Sequence, residues 1–447
     1  MHYAVAFVLF SVACTVLAFF RHPIYSLYFY LATTFVFPPG RWWGYVFGDL
    51  RWSLLSAAVA ALAIVFHRGK LAGKPVWCSN APAVMLVMYA VWMWVQVPWA
   101  MDLDTHLSGS FQFTKYLFAF WLVYRVVDSK ERLTGLLLAH VLGCGLLGVF
   151  AQFTGRDGNG RLDGVGGPGI DDANTLGMYL ATGAIIAIGL FLTQSGWRRY
   201  LSLASLVVIV NGIVLANSRG SFLGIVAGGL MLAICKAREH RWMFWSFVLV
   251  GLMGLTVIVD RAFVDRMFTI GDVTSEDDEA DMSARSRAAV AKAQVQMFLD
   301  YPMGSGHRGT AVLSTQYLDR KWLTRDVGGD ESTAARSSHN TFMTTLVEQG
   351  VPGGILFISL TLWTLGAAWR VRGLNGRYGD SQLITLGAAI CGALAVVWVS
   401  GNTADYLMAE VQFWLFAGLV TVFQLSEKAR ITATPRSAAG GVHARLA

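Results

Sequence analysis

Apolar runs of about 15–20 residues recur along almost the whole chain, the length a helix needs to cross a hydrocarbon core. They lie near residues 3–20, 24–38, 52–66, 82–99, 111–127, 133–153, 174–193, 199–216, 221–235, 242–259, 350–369, 383–401 and 407–423. Tryptophans such as Trp42, Trp43, Trp99, Trp197 and Trp242 stand at run edges, where indole rings favour the membrane–water interface. Only 14% of the residues are charged, against roughly 25% in soluble domains. The expected fold is therefore an all-α polytopic membrane protein with about 12–13 transmembrane helices. One long outer loop should interrupt them and carry short helices of its own.

The first run, Tyr3 to Phe20, has no basic residues before it and no small-residue cleavage site after it, so it reads as a retained helix. Basic clusters at 67–70, 130–132, 198–199, 236–241, 370–377 and 428–430 alternate with loops poorer in Lys and Arg. The positive-inside rule puts the basic set in the cytoplasm, and hence the long loop from Asp260 to Ser338 outside. The cysteines (Cys14, Cys78, Cys144, Cys235 and Cys391) are dispersed, which indicates neither a disulfide framework nor a metal cluster. The +7 formal charge is a topology signal. No basic, aromatic-interleaved domain accompanies it, so nucleic acid is not an expected partner.

Four regions follow: N-terminal membrane helices over 1–259, the large outer loop over 260–349, C-terminal membrane helices over 350–425, and a polar, Ala/Gly-rich tail over 426–447 expected to be disordered. The loop begins with the acidic stretch GDVTSEDDEADM, Gly271 to Met282, expected to be solvated. Ala284, Ala288, Ala291, Val295 and Phe298 then recur at helical spacing. They predict a helix over 283–300 with Ser283 as N-cap and an end before Tyr301-Pro302. Gly304, Gly306 and Gly309 mark a turn. From Ser338 a short helix is expected, capped by Ser337 or Ser338 and ended by Gly350 in left-handed geometry, with Pro352 opening the next span.

His339 would then sit in the first helical turn, where the macrodipole disfavours an imidazolium and helps keep a base neutral. Alone it also fits a surface histidine at a helix end; Asn340, Glu348 and the glycines around it favour function. Arg219, in the tight turn NSRGS, is expected at the interface, suited either to gripping an anion bidentately or to snorkelling. Arg285 and Arg287 lie early in the loop helix, where pairing with the acidic stretch is an equal alternative. Lys115 faces a polar cavity or snorkels outward, and Asn174 binds a ligand or caps its helix. Asp102 and Asp104 form a short DxD pair of low specificity. No P-loop, HExxH or GxSxG motif is present.

HNTFMTTLVEQGVPGGILF, His339 to Phe357, resembles the signature of the O-antigen ligase and polymerase superfamily: His-Asn-x-aromatic, then Glu-x-Gly-x-x-Gly and an aromatic. RAAVAKAQVQMFLDYPMGSG, Arg287 to Gly306, resembles that family's arginine, helix and Pro-x-Gly-x-Gly pattern. NSRGS is similar to its Ser-Arg-Gly turn, and the Asn174 region to its span-opening asparagine motif. These matches occur in family order across about 175–357. The first half is similar in hydropathy, with some likeness to the exosortase-associated branch. Ala291 stands where the family often has tryptophan, which leaves Arg285 and Arg287 as alternatives.

The resemblance implies an inner-membrane glycosyltransferase working at the periplasmic face without metal or cofactor. Its donor would be a glycan on a polyprenyl (undecaprenyl) diphosphate, and its acceptor a hydroxyl of lipid A core, a polysaccharide or a protein. By that likeness His339 is the general base, and Arg219 with Arg287 or Arg285 holds the leaving diphosphate; Asn340, Glu348, Asn174 and Lys115 would support them. The rival expectation is a polytopic transporter or flippase of lipid-linked glycans, which would favour intramembrane ionisable residues and broken helices in repeated halves.

Overall fold

The computed structural model describes residues 2–71, 73–156, 162–259, 264, 278–323, 335–376 and 380–433. The chain is an all-α polytopic membrane protein, with fifteen helices and no strand among the described residues. They are α1 (His2–Phe20), α2 (Ile24–Val36), α3 (Trp52–Phe66), α4 (Ala81–Val95), α5 (Leu103–Val126), α6 (Lys130–Thr154), α7 (Ala173–Thr193) and α8 (Gly196–Ala216). Then follow α9 (Arg219–Cys235), α10 (Arg241–Ile258), α11 (Asp278–Asp300), α12 (Gly309–Tyr317), α13 (Thr341–Gly373), α14 (Ser381–Ser400) and α15 (Val411–Ala433). Every expected apolar run is a helix. Seven, counting α4 with its adjoining turn, are long and apolar enough to cross a membrane; α3 and α9 are apolar but shorter.

The bundle is built around α7 and α14, which are buried along most of their length. Outer helices instead expose leucines such as Leu9, Leu62 and Leu362, as expected where lipid is the solvent. Lipid gives helices no hydrophobic reason to pair, so close packing of small residues must do it. On α9, Gly220, Gly224 and Gly228 recur every fourth residue and form one flat stripe against α14. A Cβ at Gly224 would collide with Ser400, and one at Gly228 with the Gly392 carbonyl and Val396. Ser400 Oγ donates to the Gly220 carbonyl at 3.0 Å. This glycine ladder fixes the start of α9, and with it Arg219, against the α14–α15 connection.

Several local expectations need correction. The loop helix α11 begins at Asp278, before Ser283, and its buried face is Ser286, Val290, Ala293, Gln294 and Met297. Ala288, Ala291 and Val295 point outward. Both stripes have helical spacing; Ala293, Met297, Leu313 and Val347 cluster together and decide the face. The N-cap of α13 is Asn340, whose Oδ1 accepts Phe342 N–H at 2.9 Å and Met343 N–H at 3.1 Å. His339 therefore precedes the helix and does not lie in its first turn. Helix α15 continues to Ala433, into the tail expected to be disordered over 426–447. The stretch 271–277 and residues 434–447 lie outside the described residues.

Gly350 interrupts α13 with φ 63° and ψ −163°, a conformation that side chains rarely tolerate. Residues 301–306 run through the bend as a strap. Ser305 N–H donates to Val347 O at 3.0 Å, Gly306 N–H to Glu348 O at 2.9 Å, and Val351 N–H to Pro302 O at 2.8 Å. A Cβ on Gly350 would collide with the Pro302–Gly304 backbone. Gly350→Ala should therefore destabilise the folded protein by about 1–3 kcal/mol through backbone strain alone. Thermal unfolding in detergent checks this; an unchanged midpoint would mean the strap is not held as described.

Candidate active site

A cavity of about 850 Å³ opens where the start of α5, the segment 307–311 that follows the strap, the start of α7, the start of α13 and the α14–α15 connection meet. Its position follows from polar residues that tie these segments together. Gln96 Nε2 donates to Met303 O and Glu348 O, each at 3.0 Å, and Trp99 Nε1 donates to Gly304 O at 3.2 Å. His106 Nδ1 accepts the His307 N–H at 2.8 Å. Its Nε2 lies 2.8 Å from Met93 O, so the neutral imidazole with the proton on Nε2 satisfies both contacts. His106 is thus a buried positioning histidine that fixes His307 at the cavity wall.

His307 and Glu348 form the chemical centre of that wall. His307 Nδ1 stands 3.5 Å from Glu348 Oε2, and Asp405 lines the cavity with them. Burial disfavours charge on His307, but the Glu348 and Asp405 carboxylates outweigh it and raise its pKa, so its imidazolium persists to higher pH than in a free histidine. Protein encloses Asp405 although solvent reaches it through the cavity. That enclosure, then the charge on Glu348, pushes its pKa up. Arg308 follows at the rim with φ 62°, a left-handed conformation uncommon for a residue with a side chain.

His339 is exposed, directly after the cavity-lining Ser337 and Ser338. Ser338 Oγ accepts from Gln294 Nε2 at 2.8 Å, which docks α11 beside the segment. Asn340 caps α13, and its Nδ2 donates to Asn402 O at 3.4 Å. Thr341 N–H donates to Gly401 O at 2.7 Å. The His339 segment is therefore bound to the same connection that the glycine ladder brings to Arg219.

Arg219 opens α9 and is half-buried, with Ser218 as the N-cap. Asn174 sits between Asp172 and Thr175, which line the cavity. Its Oδ1 accepts the Ser218 hydroxyl at 3.0 Å, and its carbonyl accepts Ser221 Oγ at 3.3 Å. The helix α7 is capped by Asp172, so Asn174 is neither its cap nor free; it latches α7 to the arginine turn. Asn217 takes φ 51° to make that turn.

The remaining candidates are distributed less centrally. Arg285 is exposed on α11. The Arg287 backbone lies in the same helix, while its side chain falls outside the described residues. Arg336 Nη2 donates to Ser286 Oγ at 3.1 Å, which draws the start of α11 toward the His339 segment. Lys115 is exposed on α5 and does not line the cavity. Asp102 is committed to capping α5, its carboxylate accepting Thr105 N–H at 3.0 Å and Thr105 Oγ1–H at 2.6 Å; Asp104 lines the cavity. Residues 307 and 405 were not singled out from the sequence. The first hid between the turn glycines Gly306 and Gly309, and the second in the polar GNTAD stretch between two spans.

The family model described as O-antigen ligase matches residues 204–358, the interval that holds Arg219, α11, the strap, His339 and Glu348. Comparison with curated proteins gives no match.

Proposed function

We propose that this chain, which belongs to the O-antigen ligase superfamily through residues 204–358, moves a glycan from a polyprenyl diphosphate to an acceptor hydroxyl at the periplasmic face of the inner membrane. His339 takes the proton from the acceptor hydroxyl, whose oxygen attacks the anomeric carbon. The bond from that carbon to the diphosphate oxygen breaks, and its electron pair leaves with the diphosphate. Arg219, with Arg285 or Arg287 from α11, meets the charge that develops there.

One observation carries most of this reading. Segments distant in sequence, those bearing His339 and Arg219, are both bound to residues 400–403, beside the same polar cavity. An exposed imidazole and a half-buried guanidinium on rigid supports suit acid–base work next to an anion. The outer sides of the bundle are apolar, so a lipid-borne donor can approach from the bilayer.

Guanidinium groups supply the positive charge in this scheme, and the DxD pair has lost Asp102 to helix capping. Transfer should therefore continue in EDTA. A reconstituted assay with a defined polyprenyl-diphosphate glycan and a panel of acceptors measures it. Strong inhibition that a divalent ion reverses would reject the arginine-only scheme.

A further inference from the structure

The charged groups that line the cavity are mostly acidic. Asp104, Asp171, Asp172, Asp405 and Glu348 contribute carboxylates, against one guanidinium (Arg308) and the His307 imidazole. A diphosphate would be repelled from such a wall, so the cavity and the arginine turn must receive different parts of a substrate. Of the buried polar atoms of the lining, Thr310 Oγ1 has no hydrogen-bond partner among the described residues, and Glu348 Oε2 and His307 Nδ1 meet only each other, at 3.5 Å. Glu348 and Thr310 are only 4% and 2% exposed. Buried polar atoms normally find partners, and leaving them unsatisfied is costly. Here their side chains line one water-accessible space within the range of small-molecule sites, about 300–1,000 Å³.

The polar side chains of this lining suit a ligand rich in both donors and acceptors. Glu348 accepts, the Thr310 hydroxyl does either, and His307 donates when protonated. The carboxylates of Asp104 and Asp171 add further exposed acceptors toward the mouth. No set of three or more His, Cys, Asp or Glu residues among the described residues converges as metal ligands would. A polyol satisfies this lining; a further anion does not.

We propose that the cavity holds a sugar unit without negative charge, and that its carboxylates discriminate against acidic sugars. The proposal rests on the glycan-transfer reading above and names the sugar class that site accepts. The unit's hydroxyls donate to Glu348, Asp405 and Asp104 and accept from Thr310 and His307. A uronate carboxylate in the same place meets like charge on several sides. Arg219 and His339 lie outside this lining, so the sugar is selected by one set of residues and transferred by another.

The test uses the full-length protein in nanodiscs and saturation-transfer NMR with matched oligosaccharide pairs, glucose against glucuronate and galactose against galacturonate. We expect a neutral member to bind and its uronate partner to bind at least about tenfold more weakly at neutral pH, as like charges in a partly enclosed site require. Glu348→Gln should weaken the neutral sugar by about tenfold, the loss of a charged acceptor. Because Glu348 is buried, the exposed pair Asp104→Asn with Asp171→Asn provides a second arm, in which the uronate should gain affinity relative to its neutral partner. Equal affinity within each pair, or no neutral binding, overturns the proposal. Transfer from a lipid-linked donor is measured separately. Discrimination without transfer rejects the glycan-transfer reading alone, whereas transfer with equal uronate binding rejects the selective cavity alone.

Discussion

Replacing His339 with alanine should reduce glycan transfer by about 10²- to 10⁴-fold, the usual contribution of a positioned general base. Expression, thermal stability and donor binding should change little. The side chain is exposed, and the adjoining structure is held by other groups: Asn340 caps α13, Ser338 binds Gln294, and Thr341 binds Gly401. The measurement is single-turnover transfer with a defined lipid-linked glycan, paired with direct donor binding. Wild-type turnover in this variant would sink the assignment. Loss of binding together with turnover would instead make His339 a donor contact.

Arg219→Ala should show the opposite signature. A donor that meets developing negative charge is worth about 2.7–4 kcal/mol, or roughly 10²- to 10³-fold in rate, and Arg219 should also hold the ground-state diphosphate. Both turnover and donor affinity should therefore fall. Arg219→Lys should recover only part of the loss, because an ammonium lacks the planar fork that grips two oxygens at once. The fold should survive either change, since Gly220, Gly224 and Gly228 seat α9 against α14. Undiminished donor affinity in Arg219→Ala would move the diphosphate elsewhere.

Much of the architecture is legible in the sequence because lipid imposes a simple rule. A long apolar run must close its own backbone hydrogen bonds, and each such run is a helix. Backbone constraints were also readable: the helix ends at Asp300 before Pro302, and Gly350 takes positive φ. Caps were harder. Ser337, Ser338 and Asn340 are all competent cap residues; in the structure Ser338 Oγ accepts from Gln294 and from the Asn340 N–H, and Asn340 caps α13. The face of α11 failed for a related reason: alanine and valine stripes at helical spacing exist on two sides, and the partner decides. His307 and Asp405 were beyond reach because their chemistry arises from three segments meeting. The glycine ladder was not read from the sequence, because a spacing of four residues has meaning only once α14 is known to face it.

The strap has a consequence for how the protein matures. Its supports on one side, Gln96, Trp99 and His106, emerge early in synthesis, whereas those on the other, Val347 and Glu348, arrive some forty residues after the strap itself. Until then the nascent chain carries an open seat, with the indole of Trp92 still lacking the Gln349 carbonyl that it later meets at 2.7 Å. The pocket therefore closes only after the last catalytic candidate has left the ribosome. A product terminated before His339 would lack the proposed base together with Val347 and Glu348, and should leave lipid-linked glycan untouched.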